Sequence, residues 1–215
     1  MSLTQFLKCF AALLLLAACN STYTSKKKGY FKIDFPDHKY VLLNDPSLPY
    51  SFEYPVYAKI ITDSTYFDNN PENPFWRNVD FPQFNARIFL SYKAIGGKAL
   101  YKIKKPDGSY KDSLGTNYFD AMVNDAYNLT NKNEAVASSI RDSVFRTSNG
   151  ISGVFFKVGG NAATGRQFFM SDTGKNFIRG ALYFDTTPNA DSLMPVQNFL
   201  QADIIHLINS FRWKN

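Results

Sequence analysis

The pattern of apolar and polar positions is clearest at the end of the chain, where it predicts an amphipathic helix. Apolar residues recur there at intervals of three and four, the spacing that places side chains on one helix face. Pro195 suits the first helical position, with Asp191 and Ser192 just before it. One face of this helix must therefore pack against the rest of the protein. Its members are Val196, Phe199, Leu200, Ile204, Leu207, Ile208 and Phe211.

Alternating apolar positions earlier in the chain predict β-strands. Residues 51–61 alternate throughout, although Pro55 indicates an edge strand or a bulge. Residues 86–92 predict a second strand. Two later segments predict a hairpin, because Asn149-Gly150 between them favours the positive φ angles of a tight turn. These hairpin arms and the two strands expected after them are residues 143–147, 153–158, 167–171 and 176–185.

A further helix is predicted at residues 117–129, where Tyr118, Met122 and Ala126 fall at helical spacing. Strand-like segments outnumber helices, and the helices follow the second strand and end the chain. This order predicts an α+β fold, with an antiparallel β-sheet packed against a few helices, including the C-terminal amphipathic helix. The order also resembles the PsbP/Mog1-like architecture, which implies an assembly or binding module more often than an enzyme.

Residues 62–84 are predicted to form a long irregular segment, because Pro71, Pro74 and Pro82 interrupt regular strand pairing. Large aromatic side chains are common anchors at protein interfaces, and the segment carries several. We therefore predict a partner-facing surface here. The alternative is that these rings fold back and cover the open end of the sheet. The candidate residues are Phe75, Trp76 and Phe81.

The start of the chain predicts where the protein works. Lys8 precedes an apolar run at residues 10–18 that is too short to span a bilayer as a helix, as in a secretory signal. Leu16-Ala17-Ala18-Cys19 then resembles a bacterial lipobox. In that family of signals the cysteine thiol receives a diacylglyceryl group, with palmitate-type chains, and the peptide is cut before the cysteine. The alternative is a short anchor or a plain signal with an incidental cysteine.

Cleavage at this motif would divide the chain into three parts: a signal peptide at 1–18, a lipidated tether at 19–28 and a single α+β domain at 29–215. Several acyl chains together hold a protein on a membrane. No later stretch approaches the roughly 20 apolar residues of a transmembrane helix. We therefore expect a lipid-anchored, periplasm-facing protein of the cell envelope, with the outer membrane favoured over the inner one.

Composition narrows the choice of function. Aromatic residues make up 16% of the chain and charged residues 20%, values that indicate a folded protein with much β-structure. The formal net charge of +6 can indicate nucleic-acid binding, but an envelope address argues against that partner, and we expect no nucleic acid to bind. The second cysteine, Cys9, lies within the signal peptide, so no intramolecular disulfide is expected once Cys19 carries lipid.

Few residues of the sequence indicate a catalytic or metal-binding role. Asp203 falls inside the apolar stripe of the last helix, where a carboxylate needs a partner, and Arg179 on a predicted strand is one candidate. His206 lies at the edge of that stripe. These three are predicted as buried polar groups with a structural role. With two histidines in the chain and no Gly-x-Ser-x-Gly motif, the sequence predicts no metal site, no cofactor and no catalytic residues.

Longer blocks identify a family resemblance that covers nearly the whole chain after Cys19. Together, and in order, they are similar to the gliding-motility lipoprotein GldD family of Bacteroidota. The resemblance implies an envelope lipoprotein required for gliding motility and the linked type IX protein secretion system, with other gliding-motility lipoproteins as partners. The blocks are residues 54–60, 78–84, 160–163, 167–169, 179–184 and 203–208.

Two classes of function follow from the sequence. The favoured one is a non-enzymatic assembly or stabilising component of the envelope. The alternative is an envelope enzyme or a small-ligand-binding lipoprotein with a pocket near Asp203 and His206. A deep open cavity with converging polar groups would favour the alternative. A filled core with exposed aromatic rings around Trp76 would favour assembly.

Overall fold

A computed structural model describes residues 32–62 and 74–214 of the chain, apart from the side chains of residues 100 and 101. The chain divides into two units, Met1–Ile33 and Asp34–Asn215, and all the elements given below belong to the second. The predicted signal peptide, the lipidation site Cys19 and the tether lie outside the described residues.

The predicted α+β class is confirmed, since antiparallel strands dominate the second unit and two helices pack against them. A 3₁₀ turn at Pro82–Phe84 separates two of the strands. In chain order the elements are β1 (Tyr40–Leu43), β2 (Tyr50–Pro55), β3 (Lys59–Ile61), β4 (Arg77–Phe81), β5 (Ala86–Ala94), β6 (Lys98–Lys104), β7 (Tyr110–Thr116), α1 (Phe119–Asn131), β8 (Ala137–Arg146), β9 (Ser152–Gly160), β10 (Arg166–Ser171), β11 (Asn176–Phe184), α2 (Ala190–Ser210) and β12 (Arg212–Trp213).

A seven-stranded antiparallel sheet forms the centre of the described fold, in the order β3-β4-β5-β11-β10-β9-β8. Because side chains alternate across a strand, this sheet has two distinct faces. The α2 face carries Ile88, Leu90 and Leu182, which are buried in one core cluster. The α1 face carries the residues between them, such as Phe89 and Arg179. A three-stranded sheet, β1-β2-β12, and a separate hairpin, β6-β7, complete the architecture.

The main core lies on the α2 face of the seven-stranded sheet, where α2 and the three-stranded sheet cover it. Most of the apolar stripe predicted for the last helix is buried there, while Val196 and Phe199 are half-buried. Each fully buried aliphatic side chain contributes roughly 1.5–3 kcal/mol. Aromatic rings from β2 and from the residue after α2 extend the same core. The buried side chains of these elements include Leu200, Ile204, Leu207, Ile208, Tyr50, Phe52 and Phe211, each at most 5% exposed.

A smaller core lies on the α1 face. Met122 and Ala126 of α1 pack there against Val154, Phe156 and Phe169 of the central sheet. The helix has 13 residues and covers the sheet near β9, β10 and one end of β11. The part of this face formed by β4, β5 and the rest of β11 borders an open cavity.

Two expectations about helix boundaries are wrong. The last helix begins at Ala190, where the Asn189 side chain accepts a hydrogen bond from the Ser192 N–H at 3.3 Å, so Pro195 lies inside the helix. The missing N–H of that proline removes one backbone hydrogen bond from the helix. The first helix begins at Phe119, and Tyr118 is therefore an exposed flanking residue.

The predicted single strand at residues 51–61 is two strands in different sheets, because β2 ends at Pro55 and β3 pairs with β4. The predicted irregular segment is also partly wrong. Residues 77–81 form β4, which lies inside the seven-stranded sheet between β3 and β5. Pro82 comes directly after β4, in the 3₁₀ turn, so its missing N–H falls outside the strand.

Candidate functional site

Asp203 is the most deeply buried acidic side chain of the α2 stripe, at 2% exposure. It lies one turn from Leu200 and Leu207 on the same helix face, and the periodicity that buries those residues buries the carboxylate too. A carboxylate moved out of water is costly unless donors replace the lost hydration. The residues that supply those donors define the candidate site.

Three donors converge on this carboxylate. His38 Nδ1 lies 2.7 Å and the Tyr40 hydroxyl 3.0 Å from Oδ1. The Tyr57 hydroxyl donates to Oδ2 at 2.5 Å, and it also lies 3.3 Å from His38 Nδ1. His38 comes from the segment before β1, Tyr40 starts β1, and Tyr57 belongs to the turn between β2 and β3. Asp203 therefore joins the helix to two parts of the chain, the stretch that leads into β1 and the turn between β2 and β3.

Both tyrosines are held in their neutral, donating form. The pKa of the Tyr57 hydroxyl lies well above its ordinary value, because burial disfavours the phenolate and the hydrogen bond to Asp203 stabilises the phenol. The pKa of Tyr40 is raised for the same reasons, burial first and then the negative charge of Asp203. The two phenols therefore keep their protons near neutral pH and act as hydrogen-bond donors to Asp203.

A second pair extends the cluster towards solvent. The His206 ring stacks on the Tyr40 ring, with 3.5 Å between the ring centres and an angle of 6° between their planes. His206 Nε2 lies 2.6 Å from Glu53 Oε2 on β2. Both side chains of this pair are half-buried. The contact fixes the helix against the three-stranded sheet, one turn beyond Asp203.

What the cluster can bind depends on how many acceptor sites of the Asp203 carboxylate are already occupied. A carboxylate offers about four acceptor sites, and donors of the protein occupy three of those on Asp203. These three donors are two phenols and an imidazole. Across the residues that the structure describes, no group of three or more histidine, cysteine or acidic side chains could hold a metal ion. The arrangement is suited to holding segments together.

Arg179 does not pair with Asp203, although the sequence suggested it. It lies on β11 between Ile178 and Gly180, and the alternation of the strand sends its side chain to the α1 face. There its guanidinium donates to the Gln167 Oε1 atom. The carboxylate and the guanidinium thus lie on opposite faces of the same sheet.

The three aromatic residues predicted as a partner surface differ in exposure. Phe81 is 1% exposed, because the alternation of β4 points it into the core beside Val79, and it cannot belong to an outer surface. Phe75 and Trp76 are half-buried and pack against the same core. The Trp76 Nε1–H donates to the Tyr92 carbonyl at 3.0 Å, and the Phe75 ring meets the Tyr92 ring edge-on at 5.5 Å.

Sequence reasoning missed the partners of Asp203. His38, Tyr40 and Tyr57 lie more than 140 positions before it in the chain, so no local spacing connects them. The usable signal was chemical: a carboxylate in an apolar stripe requires donors, and tyrosine and histidine near the start of the domain can supply them. Glu53 was missed for the same reason.

These observations define the class as an α+β protein with an antiparallel sheet and a buried carboxylate cluster that fastens its C-terminal helix. The sequence matches the profile of the family described as "Gliding motility lipoprotein GldD" over residues 20–213. The chain belongs to this family, as its sequence blocks suggested, and it is a gliding-motility lipoprotein. The family points to a cell-envelope location.

Other comparisons add a structural neighbour. The chain is similar to the solution structure of cyanobacterial PsbP (CyanoP) from Synechocystis sp. PCC 6803, with a TM-score of 0.40 and 12% sequence identity, over 87% of this chain and 98% of that one. Among curated proteins, none matches the sequence significantly. In the described part of the chain, neither helix combines the length and apolar character needed to cross a bilayer.

Proposed function

We propose that the protein is a lipid-anchored component of the cell envelope that supports gliding motility and the linked type IX secretion system. It acts by holding or stabilising other envelope proteins, and not by catalysis. Other gliding-motility lipoproteins and secretion-system proteins of the envelope are its expected partners, and the outer membrane is favoured over the inner one. The observation that carries this proposal is the family match, which begins at residue 20, directly after Cys19.

The carboxylate cluster supports a non-enzymatic role. Asp203 is the acidic group that sequence reasoning placed at a possible catalytic site, and its acceptors are largely taken by donors of the protein itself. A general base needs a free lone pair near the substrate proton. Asp203 is better placed to keep α2 and the segment around His38 together. Such rigidity suits a protein that presents a constant surface to partners.

The anchor proposal is tested at Cys19. Cys19→Ala should leave the chain unprocessed, or release it from the membrane, because no acyl chains would hold it there. Mass spectrometry of the chain extracted from membranes should find acylated Cys19 as the first residue. Cys9→Ala is the matched control and should be processed and anchored normally. A free Cys19 thiol on a chain that retains residues 1–18 would overturn the anchor.

The partner surface is tested around Trp76. Pro74 is exposed beside it and can carry a photo-crosslinking residue in cells. Val144, 79% exposed on the edge strand β8, is a matched position far along the sheet order. Crosslinks to envelope proteins from position 74, and not from 144, would support this surface. The reverse pattern would move the surface to β8.

Trp76 itself separates binding from folding. Trp76→Ala should lower the free energy of unfolding by roughly 3 kcal/mol, because the ring packs on the core. Trp76→Phe keeps an aromatic ring but lacks the Nε1–H that donates to Tyr92. A surface role predicts that Trp76→Phe stays folded while crosslinks from position 74 weaken. If both variants lose folding, and the crosslinks decrease only in proportion to the folded fraction, Trp76 is not a partner contact.

A further inference from the structure

An open cavity of about 510 Å³ lies at the part of the α1 face that helix α1 does not cover. That volume falls within the range of small-ligand pockets. Its wall is formed by neighbouring strands β5 and β11, whose residues pair directly: Ser91 with Arg179, and Phe89 with Ala181. The cavity is on the opposite side of the sheet from Asp203, and it is therefore a separate site.

Arg179 is the unusual group in this wall. Its guanidinium is largely buried, and burial lowers the pKa of this side chain from its ordinary value, although arginine stays charged. Within the described residues its one hydrogen bond goes to Gln167 Oε1, a neutral acceptor. A guanidinium has five N–H donors, so most of them point to no protein acceptor. A buried charge without a counter-charge is costly, and a bound anion would remove that cost.

The guanidinium is also held in place before any ligand arrives. The Gln167 Nε2 donates to Thr164 Oγ1 at 2.9 Å, which turns its oxygen towards Arg179. Thr130 Oγ1 lies 3.3 Å from the same oxygen and restrains it further. Thr130, Thr164 and Gln167 are all buried. A side chain fixed by such a network binds with less loss of conformational entropy than a mobile one.

The other charges of the cavity limit the charge of a ligand. Arg87 is already paired with Asp80, with 3.0 Å between Nε and Oδ1. Asp185 is exposed at the rim. Two carboxylates in the lining, one of them unpaired at the rim among the described residues, repel added negative charge, so a singly charged anion beside Arg179 is better matched than a doubly charged phosphate. The planar fork of a guanidinium fits a carboxylate with two parallel hydrogen bonds.

The remaining wall is apolar. Phe89 and Tyr183 meet edge-to-face, with 5.4 Å between their ring centres, and Ala181 lies between them and Arg179 on the pleated surface. Aromatic walls of this kind accept an apolar or aromatic group of a ligand. The Ser91 hydroxyl, directly across from Arg179 in the strand pairing, can donate a further hydrogen bond.

We propose that this cavity binds a ligand with one carboxylate next to an apolar or aromatic group. The carboxylate lies against the Arg179 guanidinium and the Ser91 hydroxyl, and the apolar group lies against Phe89 and Tyr183. A free organic acid and the C-terminal carboxylate of a peptide share this chemistry. This site is independent of the proposed assembly role, which the lipidation and crosslinking experiments test separately.

The test uses the full-length protein in detergent and titration calorimetry at constant ionic strength. The probes are phenylpropanoate, its uncharged amide, phenyl phosphate, and a tripeptide ending in phenylalanine with a free or an amidated C-terminus. Phenylpropanoate or the free tripeptide should bind, and the two amides should bind at least about tenfold more weakly, since a charge-assisted hydrogen bond is lost. Binding of the tripeptide alone would identify a peptide C-terminus as the source; binding of phenylpropanoate alone would identify a small acid.

Variants of the wall test the assignment. Arg179→Met should abolish carboxylate binding, and Ser91→Ala should weaken it by a few-fold. Arg166→Met is the matched control, because Arg166 lies on the neighbouring strand and is also largely buried, with side-chain amides of Gln201, Gln197 and Asn198 as acceptors on the α2 face. This control should keep full affinity. The folded state of each variant is checked by circular dichroism before titration.

Three outcomes would overturn the proposal. The first is no measurable binding of either carboxylate probe by the folded wild-type protein. The second is equal affinity for a carboxylate and its amide, or unchanged affinity in folded Arg179→Met. The third is tighter binding of phenyl phosphate than of phenylpropanoate, which would contradict the singly charged ligand. If Arg179→Met does not fold, Ser91→Ala and Tyr183→Ala, both at the cavity wall, decide the same question.

Discussion

On the α2 face of the seven-stranded sheet a carboxylate is buried with three donors, whereas on the α1 face a half-buried guanidinium has one neutral acceptor. Asp203 has His38, Tyr40 and Tyr57 around it. Arg179 has Gln167 and a cavity. The α2 face is also filled with apolar side chains, while part of the α1 face is open.

This difference shows how the surroundings of a charged side chain are connected with its role in this fold. A charge whose partners all belong to the protein stabilises one arrangement of the chain. A charge that lacks a counter-charge makes the folded state less stable than it could be, and a bound anion would remove that cost. The two faces therefore separate a group that holds the structure from a group that is available for binding.

The largest effects are expected from removing the two charges. Asp203→Ala should lower the free energy of unfolding by about 3 kcal/mol, because three donors lose their acceptor. Arg179→Met should leave stability unchanged or raise it by about 1 kcal/mol, since an uncompensated charge is removed. Urea unfolding at pH 7 measures both. Asn209→Ala, at an exposed position near the end of α2, is the control for the helix and should have almost no effect.

Equal losses from the two substitutions would break the comparison. They would mean that Arg179 is as fully compensated in the folded protein as Asp203. A stable Asp203→Ala variant would instead mean that His38 and the two tyrosines find water or each other as new partners.

A smaller effect is expected from filling space on each face. The ring of Phe168 lies directly over Gly180 on the α2 face, where an added Cβ would come within 2.2 Å of ring atoms. Gly180→Ala should therefore lower stability by about 2 kcal/mol. Ser91→Val, which adds volume towards the open cavity, should change it by less than about 1 kcal/mol. Thermal unfolding of the two variants compares the faces.

The control for Gly180 is Gly174 in the turn between β10 and β11. An added Cβ there meets no atom closer than 3.9 Å, so Gly174→Ala should be nearly neutral. If Gly180→Ala is as stable as Gly174→Ala, the α2 face is less tightly packed than these contacts indicate.

The parts of the fold that the sequence predicts best are those whose burial is periodic. The stripe from Leu200 to Ile208 has the helical spacing, and α2 buries it. The Asn149-Gly150 turn predicts the β8-β9 hairpin, and Gly150 has a φ of 81° there. In both cases a local pattern and the tertiary environment require the same residues, so the local pattern is sufficient.

Other elements lack such a pattern. The hairpin of Lys98–Lys104 and Tyr110–Thr116 was not predicted, because most of its described side chains are exposed and no apolar alternation marks it. β4 was not predicted, because the prolines near it indicated an irregular segment. The face of the sheet on which Arg179 lies was predictable from the sequence. Arg179 is adjacent to Ile178, and strand alternation places these two side chains on opposite faces. What the sequence could not supply is the pairing of β5 with β11, which creates the cavity wall.

The smallest predicted effect concerns the alkaline stability of the α2 face. The pKa values of Tyr40 and Tyr57 are raised in the folded protein, through burial and the neighbouring Asp203, above the value near 10 expected in the unfolded chain. The folded state then keeps its phenolic protons to higher pH than the unfolded state does. The stability that these two groups contribute is present below about pH 10 and is lost as the pH rises above it.

Tyr57→Phe tests this contribution. At pH 7 the variant should be less stable by about 1 kcal/mol, because one hydrogen bond to Asp203 is lost. Between about pH 10 and 11.5 its stability should fall less steeply than that of the wild type, by at most about 1.4 kcal/mol per pH unit and by less because the ring is partly exposed. Urea unfolding across this range should therefore show the two stabilities converging. Tyr110→Phe on the exposed hairpin is the control and should follow the wild type. Parallel curves for Tyr57→Phe and wild type would show that the Tyr57 proton is no better held in the folded protein than in the unfolded chain, and the α2 face would then owe its alkaline stability to other groups.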